Sequence, residues 1–391
     1  MLARTPNYTC LETVSRFHRE AGVRSRFGGE LSPLDVLQLE IVYANHHEWY
    51  GLPGAANLSE NKPDAFIASG MFGNGAFAIK LNNILAAARF VYGGKEALEG
   101  RTAVRYDYRI PRSAGELEIS IPGGLGTVGE EGSIWADAES LDLLRISSRA
   151  AEIPPYLPLA EASADIVYAP MRIGGGAVIL AQRADLHLLE DAGTENFDRI
   201  EFTHCRAYSA TSEIRFDTAP EKAAAASPAP ASAGRDAQFV PALLLVTIQL
   251  STPISDKDWV GTPIEGRVQG DVRHKEQIVI PNGSVVRGRV RRLERYERGG
   301  AFIVGLEFTQ VDLANGPVLF YADLLRMDKN PRIKPSLSER VIVPDPGRVH
   351  TREEVVTLSE LPGVASFFVS GKAFTVPKGF GTVWRTRGPI R

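Results

Sequence analysis

Only two cysteines, Cys10 and Cys205, occur in 391 residues. Neither has a CxxC partner, which excludes zinc ribbons and thioredoxin-type redox sites. No apolar run approaches the roughly eighteen residues that a membrane-spanning helix needs. The longest apolar stretch, Ala242 to Leu250, is strand-sized. The opening MLARTPNYTC lacks the apolar core of a signal peptide, which leaves either a cytoplasmic protein or a mature fragment restarted with a methionine. GxSxG, Walker A and Rossmann patterns are all missing. The glycine clusters GGELSP, GNGAF, PGGLG and IGGGA lie between strand-like segments, without the strand–glycine–helix context of a phosphate cradle. No spacing links a serine to a histidine, and the acidic pairs Asp35/Glu40 and Glu116/Glu118 look like outer strand faces. The expectation is a non-enzymatic protein with no catalytic residues, no metal and no cofactor.

The segment nearest to a metal motif is YANHHEWYG, residues 43–51. A zincin helix needs HExxH, whereas His47-Glu48 is followed here by Trp49, Tyr50 and Gly51. On a strand, His46 and His47 point to opposite faces and cannot share an ion unaided. A strand end followed by a turn is the simpler reading.

What is present is the composition of a folded protein, with 44% hydrophobic and 23% charged residues. The length predicts two domains. The net charge of −3 conceals an asymmetry: residues 1–238 carry 22 basic against 31 acidic groups, and residues 239–391 carry 22 against 16. The halves can therefore attract each other, or the second can meet an acidic partner. APEKAAAASPAPASAGRDAQ, residues 219–238, is an Ala/Pro/Ser-rich linker. We place a domain over 1–218 before it and another over 239–391 after it.

Most of the first half alternates with period two. In RTAVRYDYRIP, Val104, Tyr106, Tyr108 and Ile110 face one way and the arginines and Asp107 the other. Residues 34–43, 116–121, 133–147, 164–169, 177–190 and 197–208 follow the same pattern, and Asp137 to Ser140 supply turn chemistry for a hairpin. AFAIKLNNILAAARFVYGG differs: Leu81, Ile84, Leu85, Ala88 and Val91 recur at helical spacing, so a helix is expected over 77–92 with Gly93-Gly94 as its stop. Pro63 is positioned to open a shorter helix before it.

Beyond the linker every segment looks like a strand, apart from an irregular Pro-rich passage over 329–350. Short strands with turn residues between them indicate a small barrel or sandwich. In IVIPNGSVVRGRV, residues 278–290, Pro281-Asn282-Gly283 forms a turn whose proline presets φ and whose glycine takes positive φ, a form repeated at Pro377-Lys378-Gly379. After it Val286, Gly288 and Val290 face inward, and Arg287, Arg289 and Arg291 face outward. No aromatic platform accompanies these arginines, so nucleic acid is not expected and a solvated face is. Its functional use would be a partner-facing basic strip for an acidic protein or headgroup.

The segments LDVLQLEIVYANHHEWYG, 77–92, GRTAVRYDYRIP, SIWADAESLDLLRIS and FTHCRAYSATSEIRFD together resemble the exported lipoprotein-carrier superfamily of LolA-like half-barrels. The likeness extends over about 1–218, and the phrase IWADAESLDLLRIS resembles a hairpin of that family. Residues 239–391 resemble the periplasmic barrel of type IV secretion scaffold proteins, through VIPNGSVVRGRV. The whole chain resembles a secreted bacterial family with its signal peptide removed. From the residues alone, Cys10 and Cys205 are either unrelated cytosolic thiols or a bridge from the first element of the domain to its last. The resemblance implies the bridge.

It also implies a mainly β fold: an antiparallel curved half-barrel with a helical insert, followed by a small β-barrel. An exported protein, periplasmic or secreted, would bind a hydrophobic ligand, a lipid or acyl chain, or a lipidated partner among other envelope proteins. Candidate lining residues are Leu37, Leu39, Ile41, Tyr106 and Tyr108, with Leu81 and Leu85 from the helix. They serve equally well as filled core. The alternatives are a structural scaffold without a cavity and, more remotely, a hydrolase with an unrecognised site.

Overall fold

The structure is a computed structural model, and it describes residues 6–20, 31–44, 47–54, 58, 67, 77, 80–115, 117–121, 123–208, 239–296, 300–335, 338–344, 351–357, 361 and 363–389. The linker over 219–238, His46 and the Pro63 segment lie outside the described residues.

The first part contains β1 (Tyr8–Arg19), β2 (Ser32–Ala44), β3 (His47–Gly51), α1 (Lys80–Ala87), β4 (Arg89–Leu98), β5 (Arg101–Ile110), β6 (Glu118–Ile121) and β7 (Gly124–Thr127). It continues with β8 (Gly129–Asp137), β9 (Leu143–Ala151), β10 (Leu159–Ile173), β11 (Gly176–Glu190) and β12 (Glu195–Ala207). Ten of these strands form one curled antiparallel sheet in the order β3-β2-β1-β12-β11-β10-β9-β8-β5-β4. Alternation sorts its faces. Leu37, Leu39 and Ile41 point inward and are fully buried, while the outer face carries cross-strand pairs such as Arg145 with Asp165 and Arg199 with Asp185. The hairpin between β8 and β9 turns where expected, since Asp137 Oδ1 accepts the N–H groups of Glu139 at 2.9 Å and Ser140 at 3.0 Å.

The helix is shorter than its periodicity predicts. It ends at Ala87, and Arg89 to Leu98 pair with β5 instead. Phe90, Val91 and Tyr92 favour a pleated surface, and sheet pairing there outweighs continuation of the helix. Gly93-Gly94 therefore sits in a strand, where the register shifts between Tyr92 and Gly94.

The second part contains β13 (Leu245–Leu250), β14 (Ile254–Ser255), β15 (Pro263–Val268), β16 (Val272–His274), β17 (Gln277–Ile280), β18 (Val285–Tyr296) and β19 (Ala301–Leu313). It ends with β20 (Gly316–Leu319), β21 (Ala322–Met327), β22 (Ile333–Lys334), β23 (Ser338–Pro344), β24 (Thr351–Thr357), β25 (Ala365–Ser370), β26 (Thr375–Val376) and β27 (Gly381–Thr386). The main sheet runs β21-β27-β13-β15-β18-β19-β25-β22, and β20 pairs with β19. Since β20 and β21 are consecutive in the chain, the segment Gly316 to Met327 joins β19 to β27 and closes a small barrel. Phe320, at the corner between them, is fully buried. Part of the passage expected to be irregular is ordered: β23 and β24 pair from Ser338↔Thr357 to Pro344↔Thr351.

Both Pro-x-Gly turns form, with one change of register. Ser284 N–H donates to Pro281 O and Phe380 N–H to Pro377 O, each at 3.2 Å. Each proline thus occupies the first turn position, not the second, and the glycines Gly283 and Gly379 take φ of 80° and 84° at the third. Gly288 is required for a different reason, because a Cβ there would stand 2.0 Å from the Glu307 carbonyl oxygen.

The two sheets meet at β2. Val260 N–H donates to Val36 O at 2.9 Å and Gln38 N–H to Val260 O at 3.1 Å. One apolar core cluster runs through both sheets, from Val14 and Ile41 to Phe308 and Trp384.

Candidate functional site

Cys10 and Cys205 are joined by a disulfide. They lie on β1 and β12, neighbours in the sheet though 195 residues apart in sequence. The pairing shifts there from Thr9↔Arg206 to Leu11↔Thr203, and His204 adopts φ of 52°. The extra residue of this bulge leaves Cys205 opposite Cys10.

Inward positions next to the bridge are unusually polar. Directly opposed residues share a face, so Tyr8 with Tyr43, Glu12 with Leu39, and Arg16 with Asp35 all line the interior. β12 adds Phe202 and Asp198 opposite Glu12 and Arg16. β3 adds Glu48 and Tyr50, with Tyr50 Oη donating to Glu48 Oε2 at 2.6 Å. His47 and Trp49 take the opposite parity, with rings 5.9 Å apart. YANHHEWYG thus holds the end of β2 and the whole of β3, a paired strand where a turn was expected, with Glu48 and Tyr50 inward, and the described residues contain no cluster of three metal-ligating side chains.

Opposite this group, α1 lies on the sheet with Leu81 and Ile84 buried. Lys80 Nζ sits 2.7 Å from Glu130 Oε1, and Tyr108 Oη donates to the same oxygen at 2.6 Å. Tyr168 Oη donates to Phe77 O at 3.2 Å. Burial, reinforced by the charge of Glu48, holds the Tyr8, Tyr50 and Tyr168 hydroxyls well above the ordinary phenol range. Burial and Glu130 do the same to Tyr108. All four remain hydrogen-bond donors at physiological pH. Glu12 is pushed well above the ordinary carboxyl range by burial first, then by Glu48 and Asp198.

The seven expected lining residues divide into two groups. Leu37, Leu39, Ile41, Tyr108 and Leu81 are buried, and Leu37 lies at the junction with the second sheet. Tyr106 and Leu85 are 39% and 53% exposed. Tyr106 packs against Tyr92, itself 57% exposed, with ring centroids 5.5 Å apart and planes tilted by 60°. The inner face is therefore closed around β1 and β2 and open along β4, β5 and α1. A separate cavity of about 280 Å³, lined by Leu143, Arg145, Asp165, Tyr168, Ile179 and Arg183 among others, shares none of the seven.

The basic strip on β18 is not uniformly outward. Arg287 is half-exposed and bridges Glu265 and Asp312. Arg289 donates to Gly261 O at 3.0 Å. Arg291 is only 14% exposed and pairs with Glu307. A register shift between Val290 and Arg292 breaks the alternation: Leu293 joins Val304 on the core face, and Arg292 and Glu294 form a pair at 2.8 Å that is buried on the opposite face of the strand. Asp35 likewise leaves the outer face assigned to it: it is 8% exposed and bound to Arg16. Its parity with Leu37 and Leu39 already carried that information, as did the parity of Glu12 with Cys10 and Val14.

No family model and no curated protein matches the chain. Solved structures similar to it include a DUF1329 family protein from Desulfovibrio piger, with 12% identity and a TM-score of 0.29, covering 54% of this chain and 89% of that one. A putative outer membrane lipoprotein-sorting protein domain from Vibrio parahaemolyticus matches with 11% identity and a TM-score of 0.29, over 53% and 88% of the two chains. ComB10 of the Com type IV secretion system of Helicobacter pylori matches with 11% identity and a TM-score of 0.20, over 38% and 87%. The last two are of the kinds that the sequence resembles.

Proposed function

We propose that this is an exported, non-enzymatic envelope protein that holds a hydrophobic ligand, or the acyl chain of a lipidated partner, where the inner face of the first sheet opens. The barrel is its interaction module. The observation that carries the reading is the apolar lip formed by Tyr92 and Tyr106 on β4 and β5, which stays exposed, as does Leu85 on α1, while the aromatic interior is buried. The disulfide supports an oxidising compartment, since such bonds are rare in reducing cytosol. No helix among the described residues is long and apolar enough to cross a membrane.

The test is binding of dansyl-labelled undecanoic acid to wild type and to a Leu85→Ser/Tyr92→Ser/Tyr106→Ser variant. We expect the variant to lose at least about tenfold in affinity, with stability reduced by only about 1 kcal/mol for the lost ring pair. Equal binding by both proteins would place the probe elsewhere. Absence of binding to wild type would favour the scaffold alternative, which draws on the complete burial of Leu37, Leu39 and Ile41.

A further inference from the structure

Glu12 is fully buried, and neither carboxylate oxygen has a hydrogen-bond partner among the described residues. Its position on β1 is inward, across from Leu39 on β2 and Phe202 on β12. The charged groups acting on it from the neighbouring strands are acidic: Glu48 from β3 and Asp198 from β12. Tyr50, the nearby donor, gives its hydroxyl proton to Glu48. Arg16, two inward positions along the same strand, is committed to both oxygens of Asp35. A buried acceptor left without a donor is destabilising, and more so when charged. A fold that retains one in a well-packed interior calls for an explanation beyond packing.

We propose that Glu12 is the polar anchor of the ligand, reached from the exposed lip on β4 and β5 by an apolar chain that displaces part of the packed interior and carries a protonated amine at its head. This rests on the hydrophobic-ligand reading and specifies the head group. Three features favour a cation. Glu12 and Glu48 are both acceptors. Tyr8 and Tyr50 lie within electrostatic range of Glu48, and tyrosine rings attract ammonium groups through their faces. An anionic head would meet Glu12, Glu48 and Asp198 together, an arrangement that opposes it.

The proton balance is explicit. Before binding, Glu12 holds its proton, because burial and its acidic neighbours oppose ionisation. The ligand enters as an ammonium and keeps its own proton. Glu12 becomes a carboxylate paired with it, and the carboxyl proton leaves to solvent. Binding therefore releases protons, which a purely structural Glu12 would not do.

The experiment is calorimetric titration of the full chain with octylamine, octanoate and octanol, in two buffers of different ionisation enthalpy, using wild type and Glu12→Gln. We expect wild type to prefer octylamine over octanoate by at least about tenfold and to release up to about one proton per ligand. Glu12→Gln should lose both properties, keep its affinity for octanol and fold at least as stably, since it buries a neutral group of similar shape. Octanol binding without any preference for the amine, or an unchanged preference in Glu12→Gln, would overturn the anchor and leave the hydrophobic-ligand reading standing. Failure of all three probes would remove that reading and this one with it.

Discussion

Arg16 on β1 and Asp35 on β2 face each other across the first sheet and share two hydrogen bonds, Nε to Oδ1 at 2.7 Å and Nη2 to Oδ2 at 2.6 Å. Their side chains are 1% and 2% exposed. Burial by itself lowers the Arg16 pKa, and Asp35, with Asp198 and Glu294, more than offsets it. Burial pushes Asp35 up against the pull of Arg16. Glu294 and Arg292 belong to β18 of the barrel, so the ion pair of one sheet is within electrostatic reach of the ion pair of the other.

Removing one partner strands the other charge in the interior. Arg16→Met should cost about 3–5 kcal/mol, whereas Arg16→Met combined with Asp35→Leu should come close to wild type. Urea unfolding of the two variants measures the difference. If the single variant costs under about 1 kcal/mol, the pair is not the buried, coupled unit described.

The Cys10–Cys205 bridge closes a loop of 195 residues. In the chain-entropy model a loop of that size contributes about 5 kcal/mol, an upper value because denatured chains retain structure. Thermal unfolding with and without reductant should show a large fall in melting temperature, and Cys10→Ser with Cys205→Ser should reproduce it.

Glu12 makes stability depend on pH in a direction fixed by its shift. Its carboxyl titrates well above the ordinary value in the folded protein, so the folded state retains a proton that the unfolded chain releases first. The contribution is fully present below the unfolded pKa and is lost as pH rises toward the folded one. Glu12→Gln should therefore flatten the stability–pH curve above the ordinary carboxyl pKa and stabilise the protein at neutral pH. Denaturant midpoints measured from acid to mildly alkaline pH test this, and a curve parallel to wild type would contradict it.

On β18 the three arginines separate by environment. Arg287→Ser should change stability by no more than about 1 kcal/mol, because its ion pairs are half-exposed. Arg291→Ser should cost about 1.5–3 kcal/mol, since its partner Glu307 is largely enclosed. Gly288→Ala should be worse than either, as its Cβ would collide with backbone. Melting temperatures of the three variants give the order.

Much of this architecture is legible in the alternation of side chains, because over much of each sheet one face is buried and period two marks it directly. Leu37, Leu39 and Ile41 on β2 and Val286 to Val290 on β18 are examples. The barrel's closure through Gly316 to Met327 is not legible, since it depends on which distant strands accept β20 and β21. The end of α1 was hidden because Ala88 and Val91 continue a helical period while Phe90 to Tyr92 also suit a strand, and only β5 decides between them. In the candidate site, tyrosines and leucines carry no mark that distinguishes core from lip: Tyr108 and Tyr106 share a parity yet differ from 4% to 39% in exposure. The polar interior was visible only as charged residues at inward positions, Glu12, Arg16 and Asp35, whose partners come from other strands.

Native mass spectrometry under non-reducing conditions, on protein purified from cell envelopes, tests the central claim most directly. The account predicts a lipid-sized added mass, the mass deficit of a closed Cys10–Cys205 bridge, and loss of the added mass in the Leu85→Ser/Tyr92→Ser/Tyr106→Ser variant. A bare polypeptide mass with free thiols would contradict both the compartment and the cargo.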